Sequence, residues 1–262
     1  MIGGFEAWQA AGLLVGSIAA ERPRVGELPG MRPPDGHHGI RAPSVEQLGR
    51  WEEALRERPD RYGSGTSEPA RAALDRLRRA RACDLLELGG GQGRDSIFFA
   101  REGLNVTVVD FAETAVSTIA QKAVAEGVAK RVCAVEHDVR DPLPFADASF
   151  DACYSHMLLC MSLNEPELHA LTAELRRVLR PGGLCIYTAR TTGDPDFGRG
   201  APLGGRLYEL DGFAVHFFDR ALVNGLATGP EGTGFELLEV EEFEEGVLPR
   251  RLIRATMQKV GP

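Results

Sequence analysis

Between Glu87 and Ser96 the chain reads ELGGGQGRDS, the stretch whose residue types and spacing hold the most chemistry. Gly89, Gly90 and Gly91 are consecutive and Gly93 follows closely, so the backbone there can turn sharply and approach a ligand with no side chain between them. A helix expected to begin near Asp95 would point its N-terminus at the same ligand. A loop built for a pyrophosphate needs G-x-G-x-x-G. Both registers fail: Arg94 stands where a glycine should follow Gly89 and Gly91, and Ser96 where one should follow Gly91 and Gly93. Further on, VVDF places Asp110 and Phe111 at the end of an apolar run. His156, Arg190 and His216, with Arg199, fall near later strand ends, where a cation could hold an ionised nucleophile. Cys160 lies one helical turn past His156, but a small thiol at this spacing reads first as packing.

The elements that must carry these residues alternate. Apolar runs at Leu85–Leu88, Val106–Val109, Arg131–Glu136, Phe150–Tyr154 and Leu184–Thr188 read as strands. Helices are expected at Asp95–Glu102, Ala112–Glu126 and Glu165–Leu179, each closed by glycine or by PGG. The alternation implies an α/β fold with a doubly wound, mostly parallel sheet, and glycine loops at its ligand crevice. After a helix at Asp219–Leu226, two β-rich runs, Phe235–Phe243 and Arg251–Lys259, predict an antiparallel hairpin on the sheet edge. Ahead of the alternation, Ser44 and Gln47 have capping-box spacing at the start of one helix, a second helix spans about Ser67–Leu77, and RYGSG at Arg61–Gly65 joins them. The Gly- and Pro-rich stretch Thr191–Leu210 shows no periodicity and reads as a lid.

The 262 residues carry 30 basic and 38 acidic side chains, and the net charge of −8 works against a phosphate-binding stripe. Nucleic acid is therefore not an expected partner, and the basic run Arg76–Arg81 reads as the solvated face of a helix. Five cysteines without C-x-x-C spacing indicate neither a disulfide framework nor a zinc site, so no metal is expected and a reducing cytoplasm fits. No apolar run approaches the ~20 residues of a membrane span. Leu13–Ala20 lacks the basic leader of a signal peptide. A cytoplasmic protein with a small-molecule substrate is the expectation.

The spacing E-x-G-x-G-x-G resembles the first motif of class I S-adenosylmethionine-dependent methyltransferases, whose fold is the Rossmann-like sheet just described. The resemblance implies S-adenosyl-L-methionine as cofactor and assigns roles residue by residue. Glu87 would face the cationic end, and Gly89, Gly91 and Gly93 would let the backbone approach. Asp110 would take the ribose hydroxyls and Phe111 would cover the adenine. Asp138 would accept the adenine amino group while Val139 donates its N–H, and Ser155 and Tyr62 would complete the cofactor shell. A closer similarity is to the tellurite-resistance and thiopurine methyltransferase group, through WEEAL followed by RYG, GGGQGRDS, GFAVHFFDR and RLIRATMQK. That similarity implies a soft nucleophile as acceptor. Near the N-terminus, GGFEAWQAAGLLV resembles the last helix of rhodanese-like sulfurtransferase domains. Residues 1–43 then read as a rhodanese-like remnant and linker, and residues 44–262 as the methyltransferase domain.

Methyl transfer from a sulfonium is an in-line displacement in which alignment at about 3 Å contact does most of the work. The expected reaction is S-methylation of hydrogen sulfide or a small thiol, giving methanethiol or dimethyl sulfide, with His156, Arg190 or His216 favouring the thiolate. The apolar HMLLCMSL after the fourth strand suggests a small greasy pocket. Other small acceptors (tellurite, selenite, halide, amine, phenol) and a non-catalytic cofactor-binding protein stay open. A nicotinamide dehydrogenase would share the fold but lacks its glycine pattern here.

Overall fold

A computed structural model describes residues 44–58, 63, 65–229, 234–245 and 250–261. Two helices, α1 (Ser44–Glu57) and α2 (Glu68–Arg79), lead into β1 (Asp84–Leu88), α3 (Arg94–Arg101), β2 (Asn105–Asp110), α4 (Glu113–Ala125), β3 (Val132–Glu136), β4 (Phe150–His156), α5 (Glu165–Val178) and β5 (Leu179–Arg190). The chain then forms β6 (Ala201–Gly204), β7 (Leu207–Leu210) and β8 (Phe213–His216), passes through α6 (Arg220–Thr228), and ends in β9 (Phe235–Glu245) and β10 (Arg250–Lys259). The rhodanese-like segment and Tyr62 lie outside the described residues.

The main sheet has the order β3-β2-β1-β4-β5-β10-β9. Strands β1 to β5 are parallel, while β10 runs antiparallel to both β5 and β9, so the doubly wound sheet and its C-terminal hairpin are present. Strand order reverses between β1 and β4, which makes the crevice at their C-terminal ends the place for a ligand. Near-continuous burial of β1 and β2 follows from coverage on both faces. On one face Leu85, Val106, Val108 and Ile186 pack against Leu77, Phe99 and Ile119 of α2, α3 and α4. On the other, Leu86, Leu88 and Cys185 pack against Leu171 of α5 and Leu222 of α6. Local signals set the helix starts. Ser67 accepts the N–H of Ala70 ahead of Pro69, and Asn164 and Glu167 cap α5 reciprocally.

Three sequence expectations need correction. The strand expected at Leu184–Thr188 already begins at Leu179: register with β4 jumps from Phe150–Leu179 to Ala152–Leu184, so PGG forms a bulge rather than a boundary. The Thr191–Leu210 stretch is not aperiodic throughout. Its second half supplies two strands of a three-stranded antiparallel sheet, β6-β7-β8. All four residues of β6 are exposed, so no apolar alternation marks it, and Gly200 lies so close to β7 that a Cβ would stand 1.9 Å from the Glu209 carbonyl oxygen. Gln47, expected to cap its own helix, reaches across instead. Its amide donates to the Gly212 carbonyl at 2.9 Å and accepts from Ser162 Oγ at 3.0 Å and the Ala214 N–H at 3.2 Å.

Candidate functional site

The loop after β1 turns back at the switch point. Gly89 and Gly91 have φ of +73° and +53°, and a Cβ on Gly91 would meet nothing within 4 Å, so this backbone faces open space. Gly90 and Gly93 are small for a different reason. A Cβ on Gly90 would stand 2.3 Å from Val108 Cγ1, and one on Gly93 2.9 Å from Ile119 Cγ1, so both let the loop press onto β2 and α4. On the crevice side of the loop sits Leu158, 2.7 Å from the position of a Cβ on Gly89.

Two carboxyls flank the loop. Glu87 is 3% exposed, and its buried Oε2 has no hydrogen-bond partner. Burial, then the nearby Asp95 charge, push its carboxyl up to about 8, with the Ser96 hydroxyl offsetting part of the rise. Asp110 accepts the Gly91 N–H at 2.9 Å on one oxygen and the Ala112 N–H at 3.0 Å on the other. Each oxygen keeps a second lone pair, as two ligand hydroxyls require. Phe111 is half-buried beside it, against Leu55 of α1, Ala112 and Ala115. Ser155 is turned to the backbone, its hydroxyl donating to the Leu88 carbonyl at 3.2 Å.

At the expected adenine edge the geometry departs from expectation. Asp138 accepts three N–H groups of Arg140: the backbone N–H on Oδ1, Nη2 on Oδ2, and Nε shared between the two oxygens. Burial opposes its ionisation, but the Arg140 bonds outweigh that and hold the carboxyl below its ordinary range. Both of its oxygens are engaged by Arg140, so an adenine amino group would have to share them. The Val139 side chain is buried in the core.

The three expected catalytic groups are placed apart, and none stands as a cation facing the crevice. Arg190 is 6% exposed, hydrogen-bonded to Asp194 and Asp196, and stacked 5.1 Å from the Phe217 ring centroid. His216, 3% exposed, lies 2.9 Å from the Leu163 carbonyl through Nδ1. Burial lowers its pKa, so it is neutral near pH 7. His156 does stand at the switch point, one residue past the pairing of Ser155 with Leu88. Its Nδ1 is 2.7 Å from Thr188 Oγ1 and its Nε2 3.3 Å from Glu245 Oε2. Burial pushes its imidazole down to about 4, so the Glu245 contact is a hydrogen bond from a neutral ring. With the Nε2 proton on Glu245, Nδ1 accepts the Thr188 hydroxyl, whose oxygen also accepts the Met157 N–H. Cys160 is fully buried with its thiol pushed up to about 11, in keeping with packing. Of the apolar run after β4, Leu159, Cys160 and Leu163 are core, while Met157, Leu158 and Met161 are only partly buried.

Sequence reasoning missed Asp95, Thr188 and Glu245. Asp95 accepts both the N–H and the hydroxyl of Ser67 at 2.8 and 2.7 Å, tying α2 to the loop helix. An acid in the first turn after the glycines was the available signal. Glu245 carries no such signal, because five other glutamates share its strand. Among the described residues no His, Cys, Asp and Glu group could hold a metal ion, and no helix is long and apolar enough to cross a membrane.

The main sheet is a Rossmann-like α/β fold with its crevice at the switch point, and residues 85–183 match a family model described as a methyltransferase domain. A malonyl-[acyl-carrier protein] O-methyltransferase from Erwinia pyrifoliae is 32% identical over 140 residues, 50% of this chain and 49% of that protein. A sterol 24-C-methyltransferase from Gibberella zeae is 34% identical over 169 residues, 61% of this chain and 41% of its own length. The chain thus spans about half the length, or less, of these curated relatives. In structure it resembles the Burkholderia thailandensis 1,6-didemethyltoxoflavin-N1-methyltransferase, crystallised with bound 1,6-didemethyltoxoflavin and S-adenosylhomocysteine: TM-score 0.67 at 18% identity, covering 87% of this chain and 94% of the other.

Proposed function

We propose that this chain is an S-adenosylmethionine-dependent methyltransferase acting on a small molecule. The observation that carries the reading is the conjunction at one switch point of an open glycine backbone at Gly91, an unpartnered buried oxygen on Glu87 and spare acceptor sites on Asp110. A sulfonium with an ammonium-bearing head and a ribose fits that donor set. Bound there, the cofactor would supply an electrophilic methyl group. In this reading Asp110 holds two hydroxyls, the loop backbone lines the head, and Leu158, against Gly89, with its partly buried neighbours Met157 and Met161 would form an apolar wall that keeps water out.

For the acceptor we propose hydrogen sulfide or a small thiol. Support comes from the similarity to the soft-nucleophile group, the apolar wall and the rhodanese-like N-terminal segment. The structure changes the reason such an acceptor would suit. Arg190, His216 and His156 are not available as cations, so an acceptor already partly ionised near neutral pH is favoured over one needing activation. A second reading rests on His156: a phenol or amine that displaces the Thr188 hydroxyl from Nδ1 would meet a neutral imidazole lone pair there, with Glu245 on the far nitrogen.

A methyl-transfer screen over sulfide, small thiols, selenite, tellurite, halides, amines and phenols tests both. Headspace methanethiol or dimethyl sulfide from the purified protein is expected. Turnover of phenols or amines alone, abolished by His156→Asn, would establish the second reading and sink the sulfur one. Tight cofactor binding with no transfer to any acceptor would leave a cofactor-binding protein.

A further inference from the structure

Glu87 is a buried titratable group for which alignment of a nucleophile with a methyl group has no use. Asp95, Arg94 and Ser96 of α3 face it, Asp110 comes from β2, and Cys153 and Tyr154 come from β4. Two of these neighbours are carboxyls and one is a guanidinium. The three acids differ in what satisfies them. Asp95 accepts the N–H and hydroxyl of Ser67, Asp110 accepts two backbone N–H groups, and Glu87 Oε2 accepts nothing. An unsolvated anion beside two others is the costliest arrangement of the three, so a shared site of this kind keeps its proton on the least satisfied member. The rise of Glu87 to about 8 agrees.

We infer that Glu87 couples cofactor binding to proton release: it is protonated in the ligand-free protein at neutral pH and ionises when a cationic amino-acid head is held over Gly89–Gly91. This rests on the S-adenosylmethionine reading and extends it to pH control of that site. The sign follows from linkage. The free protein binds more protons than the complex, so affinity rises with pH, by up to about tenfold per unit, and levels off above the pKa of the free carboxyl.

Calorimetry at pH 7 in phosphate and in Tris, whose ionisation enthalpies differ, counts the protons. S-adenosylmethionine and S-adenosylhomocysteine, which share the ammonium head, should each release close to one. 5′-Deoxy-5′-methylthioadenosine, which lacks the head, should release none. Glu87→Gln copies the protonated carboxyl and should abolish the release and flatten the affinity between pH 6 and 8. Its stability is predictable as well. A carboxyl raised from 4.5 to about 8 stabilises the fold below 4.5 and loses that contribution as pH rises toward 8, so the glutamine variant should be at least as stable at pH 8. Binding without proton release, equal release with methylthioadenosine, or release that survives in Glu87→Gln would overturn the inference while leaving the cofactor reading intact. Failure of S-adenosylhomocysteine to bind would overturn both. The three-ligand comparison on the unmodified protein decides the matter without the variant.

Discussion

The parallel core and the small β6-β7-β8 sheet are stabilised by different chemistry. In the core, β1 and β2 are buried almost end to end, and the loop between β1 and α3 is shaped by close backbone packing on Val108 and Ile119. In the small sheet, β6 is wholly exposed while β8 is mostly buried, and polar and aromatic contacts add to that burial. Arg190 grips Asp194 and Asp196, Arg206 pairs with Asp219, and Phe197, Tyr208 and Phe217 meet edge to face at 5.4 to 6.0 Å between centroids. Apolar burial tolerates repacking. A buried ion pair fails abruptly when one partner is removed.

That contrast predicts its own largest effect. Arg190→Ala would leave Asp194, 4% exposed, as an unpaired buried charge, and should cost about 3–5 kcal/mol in chemical denaturation. S-adenosylhomocysteine affinity should hold under conditions where the variant remains folded. The same pair gives the region an acid-sensitive edge. Burial works against ionisation of Asp194, but Arg190 holds its carboxyl below the ordinary 3.8. Its contribution is therefore present above that value and disappears as pH falls through the lowered one. A loss under 1 kcal/mol on removing Arg190 would dissolve the distinction between the two regions.

The complementary break falls in the core. On the proposed cofactor reading, Asp110→Ala removes the acceptor for two hydroxyls and should weaken S-adenosylmethionine by about 1.5–3 kcal/mol by calorimetry. Because the lost carboxylate also takes the Gly91 and Ala112 N–H groups, Asp110→Asn serves as the milder comparison. Unchanged affinity in both would remove Asp110 from the site.

The core was legible in the sequence because its signals are local: apolar runs, glycine stops and an acid at the end of β2 all sit within a few residues of what they determine. The small sheet was hidden because its partners are remote. Nothing near Gln47 announces that its amide joins Gly212, Ser162 and Ala214. The cofactor side of the site followed the same division. Glu87, the glycines and Asp110 lie at the end of β1, in the loop after it and at the end of β2, whereas Asp138 is engaged on both oxygens by Arg140 two residues away. The catalytic expectations fared worst, since a strand-end position says where a side chain starts and not what it meets. Asp194, four residues past Arg190, was the overlooked sign that the guanidinium had a local partner.

The smallest expected effect concerns the helix that touches both regions. On α1, Leu55 packs with Ala112 and Ala115 beside Asp110, while Trp51 meets Phe213 of β8 with centroids 4.7 Å apart and planes tilted by 53°. Tilted aromatic pairs contribute about 0.5–1.5 kcal/mol beyond the area they bury. A double-mutant cycle with Trp51→Leu and Phe213→Leu should therefore give a coupling in that range, because leucine keeps most of the apolar contact and removes the ring interaction. If the ring pair joins the regions, Trp51→Leu should also increase amide exchange in β7 and β8 while leaving β1 and β2 unchanged. Coupling near zero with unaltered exchange would make α1 a part of the core alone, attached to the small sheet through Gln47.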